Sequence, residues 1–184
     1  MPHSYPITGS KLYITITAAK DTHVENINKT MAELDKKANG KIFQLFDADK
    51  ITGSHHIYYA AANAHYAMEN KSNISNKLNV ETLLYSSTQN QISTAIKMIG
   101  VSGKTEWIAV AVISGKENDP LAKQIAETLG ISDDKVLDPT PEKYEALKKL
   151  YEITDIAIET IEGDSYNALT SLITEKSTLI SLRR

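Results

Sequence analysis

Apolar positions along this chain switch repeatedly between two-residue and three-to-four-residue spacing, which predicts strands interleaved with helices. Lys11 to Ala18 is an Ile/Thr-rich run in which Leu12, Ile14 and Ile16 alternate, a β-type pattern. Val24, Ile27, Met31 and Leu34 then recur at helical spacing, up to a stop at Asn39-Gly40. Ile42 to Phe46 reads as a strand. Ile57, Ala61, Ala64 and Met68 form one stripe of a helix whose many alanines suit close approach to a sheet or another helix. Val80 to Tyr85 predicts a strand, and Ile92, Ala95, Ile96 and Ile99 predict the next helical face. Glu106 to Ile113 is the clearest buried strand. Asp119-Pro120 opens a helix running to Leu129, with Pro at the first helical position. Ser132 to Thr140 is polar, acidic and proline-bearing, hence a linker or loop. Tyr144, Leu147 and Tyr151 mark a short amphipathic helix. Thr154 to Ile161 and Ser165 to Leu182 carry further helical pattern or, near the end, a strand. No internal repeat interrupts the series.

This alternation predicts the α/β class: one two-layer domain over residues 1–184, with a central sheet packed by helices. Spacing alone leaves strand direction open. A chain of 184 residues is long enough to bury a real core.

Composition narrows the chemistry. There is no cysteine, so disulfides, thiolate metal sites and a cysteine nucleophile are excluded. No apolar run approaches the ~18 residues of a membrane helix. Met1 to Gly9 lacks the basic and apolar segments of a signal peptide, so the expected compartment is the cytosol. Charge is unevenly placed. Lys50 to Lys104 holds five Lys against Glu69 and Glu81, a balance of +3, whereas Thr105 to Asp164 holds six Lys against fourteen Asp/Glu, a balance of −8. Arg183 and Arg184 are the only arginines. A strong non-specific duplex binder would cluster Arg and Lys, so that function is excluded, while a small contact with a nucleic-acid end remains open.

Most eye-catching motifs fail on spacing. Gly100-Val-Ser-Gly-Lys-Thr105 imitates a phosphate loop, but the required first Gly falls at Met98, and the segment joins a helix to a strand. A tight turn is expected there. Asp47-Ala-Asp49 lacks the polar ligand and Gly that a calcium loop needs at Ile51 and Thr52, so Asp47 is expected to cap a helix start. Adjacent His55 and His56 splay by ~100° on a helix, and neither pairs with His65 at metal spacing. No metal or cofactor is predicted. Thr88-Gln-Asn-Gln91 fits a capping box, and the same helix start suits a phosphate or terminal ribose.

Three stretches taken together resemble a known family: D-A-D-x-I-x-G-x-x-H at Asp47 to His56, N-I-S followed by L-L-Y at Asn73 to Tyr85, and S-x-x-x-Q-I at Ser87 to Ile92. They are similar to the small kinase-binding subunit of the KEOPS complex, the family that includes the PRPK-binding protein TPRKB. The resemblance covers about a third of the chain well and the flanks by pattern. It implies a mostly antiparallel sheet and a non-catalytic subunit that binds the complex's kinase-like ATPase. It also implies a hold on the 3′ CCA end of tRNA, supporting synthesis of threonylcarbamoyladenosine at position 37. The family pattern S-G-x-R-Q-I departs here at two places, with Thr88 for the Gly and Asn90 for the Arg. Loss of the Arg removes a bidentate phosphate ligand.

On this reading Lys71, Asn73, Ser75, Ser86, Ser87, Gln89, Gln91 and Lys97 line an RNA-end pocket formed by two loops meeting at a helix N-terminus. Tyr85 fits either a stacking platform or the core, and His56 a hydrogen-bonded core or rim position. Leu169, Leu172 and Ile173, on an apolar C-terminal stripe, are either core or the centre of the kinase-docking surface. The competing class is a small α/β enzyme binding a nucleotide or phosphorylated metabolite. The absence of a phosphate loop, metal spacing and a nucleophile elbow speaks against it.

Overall fold

The computed structural model describes residues 2–182; Met1, Arg183 and Arg184, named above, lie outside the described residues. The sheet comprises β1 (His3–Pro6), β2 (Tyr13–Lys20), β3 (Ile42–Asp47), β4 (Ile108–Ser114) and the two-residue β5 (Ile131–Ser132). Its order is β1-β2-β4-β3, with β5 also on β2, and every pairing is antiparallel. β2 and β3 therefore run parallel to each other with β4 inserted between them, and α1 (Ile27–Ala38) makes the crossover.

Both faces of the sheet are buried, because the side chains of each central strand alternate between two apolar layers. Ile14, Ile16 and Ala18 of β2, with Ala109, Ala111 and Ile113 of β4, join the larger layer. Ala19, Phe43, Leu45, Ile108, Val110 and Val112 face the other way, against α1 and α5 (Pro120–Leu129). The larger layer is closed by α2 (Ser54–Glu69), α3 (Leu78–Ser87), α4 (Ile92–Ile99), α6 (Pro141–Leu150), α7 (Asp155–Glu159) and α8 (Ser165–Thr178). The α/β class and the antiparallel sheet agree with expectation. The helices, however, clothe both faces rather than one.

Local rules account for many of the boundaries. Asn26, Asp119, Thr140 and Asp164 each cap a helix by accepting from a first-turn N–H. Asp119 does more. Its carboxylate also accepts from Ser114 and from the Lys41 ammonium, the latter at 2.8 and 3.0 Å, which pins the start of α5 to the sheet. Burial pushes this carboxyl upward, but Lys41 and the two hydrogen bonds outweigh it, leaving the group below the usual carboxylate range.

One element differs in kind from expectation. Val80 to Tyr85 is helical, within α3, and not a strand. Glu81 to Thr88 is one unbroken buried run, packed among α2, α4, α8 and β3. A helix buried on all sides loses the one-sided 3.6 pattern, and its Val, Thr and Tyr then imitate a strand. The C-terminal segment resolves as helix, in α8 and the 3-10 turn that follows it.

Candidate functional site

The polar loop before α3 is tightly built. Glu81 of α3, fully buried, turns its carboxylate back onto the loop and accepts from the N–H groups of Ile74 (3.1 Å) and Ser75 (2.7 Å). Asn73 donates to the Ser75 carbonyl (3.1 Å) and to Asn76 (3.3 Å), and the Ser75 hydroxyl accepts from the Lys77 N–H. The side chains of Asn73 and Ser75 are thus already engaged within the loop. Lys71 is exposed and holds a left-handed backbone at φ 53°, and Ile74 is exposed beside it.

Ser86 and Ser87 lie at the other end of α3, ten residues on. At 1.5 Å per residue that helix is about 15 Å long, so loop and turn are held apart. Both serines are fully buried. The Ser87 hydroxyl donates to the Leu84 carbonyl at 2.9 Å, and the Ser86 carbonyl is occupied by His56 and Tyr151. Neither serine side chain reaches the surface, contrary to their expected place in the lining of an RNA-end pocket. Tyr85 is buried with them, the core alternative.

The expected capping box is also absent. Thr88 closes α3 in the left-handed conformation (φ 55°, ψ 27°), and Gln91 stands at the start of α4 with no side-chain cap bond. Four residues link the two helices, and the left-handed step at Thr88 consumes the first of them. Gln89 donates to the Met98 sulfur at 3.7 Å, whereas Gln91 and Lys97 are exposed. The eight predicted residues therefore divide into an outer set (Lys71, Gln91, Lys97), a set tied into local bonds (Asn73, Ser75, Gln89) and a buried pair.

On the C-terminal stripe Leu169 and Ile173 are fully buried core residues, so they cannot centre an accessible patch; Leu172 is half-buried. Apolar side chains left open lie elsewhere: Tyr59 and Tyr66 on α2, Ile92 and Ile96 on α4, Ile156 on α7 and Leu179 at the end of α8, besides Ile74, Trp107 and Ile131 off the helices.

Several motifs resolve as structure. Gly100 follows α4 where a Cβ would meet the Ile96 carbonyl oxygen at 2.5 Å, and Ser102 to Thr105 close a hydrogen-bonded turn. Asp47 caps a 3-10 turn by accepting from the Asp49 N–H, and burial and Asp47 push the Asp49 carboxyl upward. Among the described residues no group of three or more His, Asp or Glu is placed to hold a metal ion. His56 is a core residue. Its Nδ1 accepts from the Thr52 N–H and its Nε2–H donates to Ser86, so it is neutral, and burial pulls its pKa down to about 4.

Sequence reasoning missed Lys143. Its side chain lies at the rim of α6 beside a cavity of about 730 Å³, donates to the Val136 carbonyl at 3.2 Å, and is lowered by burial to about 8 despite Asp49 and Asp138 nearby. In sequence it is one lysine among many on a polar helix, and nothing there signals enclosure.

Fold and surface together define an α/β protein whose antiparallel sheet is covered by helices on both faces, with α3 largely enclosed and several apolar helix positions exposed. Residues 22–180 match the family model described as kinase binding protein CGI-121, and the chain belongs to that family. None of the curated proteins compared matches the sequence.

Proposed function

We propose that this chain is a non-catalytic KEOPS subunit that docks the complex's kinase-like ATPase and holds the 3′ CCA end of tRNA, in support of threonylcarbamoyladenosine formation at position 37. The observation that carries the kinase part is the family match over residues 22–180, to a family described as kinase-binding. The strongly acidic stretch Thr105 to Asp164 suits a basic protein surface and repels RNA. The docking face then belongs to the apolar positions still open at the C-terminal end. Leu172 and Leu179, seven residues apart, fall near one stripe, with Ile156 on the neighbouring α7. Co-purification of this chain with the kinase-like subunit of its own organism tests the reading, and failure to associate at micromolar concentration rejects it.

The RNA part rests on the only basic third of the chain. Lys71 and Lys97 are exposed, and α4 presents a first turn without a side-chain cap, which favours an anion. With Asn90 in place of the family arginine, contact depends on lysines and amides instead of a bidentate fork. Removing the terminal CCA from tRNA should abolish most binding, and Lys71→Glu should weaken it. Equal affinity for full-length and CCA-less tRNA rejects the RNA-end reading and leaves the kinase reading standing.

A further inference from the structure

The end of the sheet where β2 and β3 finish and β4 begins carries a cavity of about 730 Å³, with the first half of α6 as another wall. Its apolar lining is Trp107, 39% exposed, with Val136 and Ala146. Lys143, in the first turn of α6, borders the same space although the residue is only 7% exposed. Its ammonium donates to the Val136 carbonyl at 3.2 Å, and among the described residues it forms no salt bridge. An ammonium carries three N–H donors, so an enclosed one with a single acceptor is under-satisfied. Val136 and the two carboxylates that act on Lys143 most, Asp49 and Asp138, also line the cavity, which sets the amine at its wall.

The charges around the cavity decide what kind of ligand fits. An anion would meet Lys143 but also Asp49, Asp138 and Glu142, and Lys20 is already taken up by Asp133 at 2.8 Å. A permanent cation would be repelled by Lys143 and Lys135. A neutral molecule escapes both objections, and one that bears a carbonyl group can react with an amine. Burial lowers the Lys143 pKa to about 8, against the pull of Asp49, Asp138 and Asp47. At pH 7 about a tenth of Lys143 is then free amine, against roughly one part in three thousand for an ordinary lysine. Enclosure of this kind is what makes a lysine nucleophilic toward carbonyl compounds.

We propose that Lys143 captures a small aromatic aldehyde in this cavity as a reversible imine, with the ring lying against Trp107. The amine nitrogen bonds to the carbonyl carbon, the C=O π pair moves to oxygen, and a proton passes from nitrogen to that oxygen, giving a carbinolamine. A further proton lets the hydroxyl leave as water while the nitrogen lone pair closes the C=N bond. Amine, aldehyde and one proton thus give protonated imine and water, with no oxidant or reductant. Asp49, whose carboxyl is pushed upward by burial and by Asp47, stands on the same wall to supply that proton. The product keeps its positive charge beside Asp49 and Asp138, as the ammonium does, so the surrounding carboxylates favour it. The exposed indole face supplies the stacking that selects an aromatic ring. The site shares no residue with the loop and turn that flank α3 or with the C-terminal stripe, and it stands whether or not those bind RNA and the kinase-like subunit.

The test incubates the whole chain at pH 7 with benzaldehyde and sodium cyanoborohydride, which reduces each imine to a stable benzylamine, and measures labelling at every lysine by peptide mass spectrometry. Lys143 should be labelled about tenfold faster than the exposed Lys104, with a rate that saturates in benzaldehyde. Its rate should level off above about pH 8, whereas that of Lys104 keeps rising. Trp107 is the only tryptophan, so its fluorescence should change saturably with benzaldehyde in the absence of reductant, and Lys143→Gln should abolish that change. Acetaldehyde, which has no ring, should lose most of the preference for Lys143 over Lys104. The proposal is overturned if Lys143 is labelled no faster than Lys104, if its rate shows no saturation, or if acetaldehyde discriminates as well as benzaldehyde. The labelling is read in the wild-type chain, so it decides the matter even where Lys143→Gln fails to fold.

Discussion

His56 and Tyr151 donate to the same backbone oxygen, the carbonyl of Ser86, each at 3.0 Å. Their rings meet nearly edge to face, with centroids 5.6 Å apart and planes at 72°. The Tyr151 hydroxyl also lies 3.0 Å from the Lys50 carbonyl, and the His56 Nδ1 accepts from Thr52. Four segments are thus joined at one buried point: the turn after β3, the start of α2, the end of α3 and the residue after α6. The orphan carbonyl of a buried helix end finds its donors there, as it must when water is excluded.

That arrangement makes stability depend on pH. His56 is held neutral by burial, with its pKa drawn from 6.5 to about 4. Between those values the unfolded chain binds a proton that the native chain refuses, so stability is full above about pH 6.5 and falls as pH drops toward 4. From pH 7 to pH 5 the loss is about 2 kcal/mol from this residue. Urea unfolding at the two pH values, in wild type and His56→Gln, should show a smaller difference in the variant.

Glu81 holds the loop that carries Lys71. Glu81→Ala leaves the Ile74 and Ser75 amides without their acceptor and should destabilise the protein by about 2–3 kcal/mol. Hydrogen exchange at Ile74 and Ser75 should accelerate well beyond the change seen in the sheet. If the exposed Lys71 contacts RNA, affinity falls too, although Glu81 itself is enclosed.

Thr88 occupies a left-handed position where the resembling family has Gly. A β-branched residue there bears about 1–2 kcal/mol of backbone strain. Thr88→Gly and Thr88→Ala both delete the same methyl and hydroxyl, but only the glycine relieves the strain. The glycine variant should therefore be more stable than the alanine variant by about 1 kcal/mol, read as a higher Tm.

The C-terminal stripe separates core from docking face. Leu169→Ala should cost about 2–5 kcal/mol of stability, because its side chain is fully enclosed. Leu179→Glu, at an exposed position, should leave the unfolding midpoint unchanged and weaken capture of the kinase-like subunit. Normal capture by this folded variant would place the interface elsewhere.

By itself the sequence determined the local structure wherever one face of an element is buried and the other wet. The helix ending at Asn39-Gly40, the β4 strand and the Asp119-Pro120 helix start all follow from period, cap and turn residues that act within a few positions. The family was legible too, from motifs that turn out to include core contacts, His56 among them. Only the tertiary structure decided the nature of Val80 to Tyr85, since burial on every side erases the periodicity that distinguishes helix from strand. It likewise withdrew Ser86, Ser87, Leu169 and Ile173 from the surface, because exposure is set by what packs against a residue and not by its type. Glu81 and Lys143 were illegible for the same reason: a charged side chain in a sequence looks solvated until the fold encloses it.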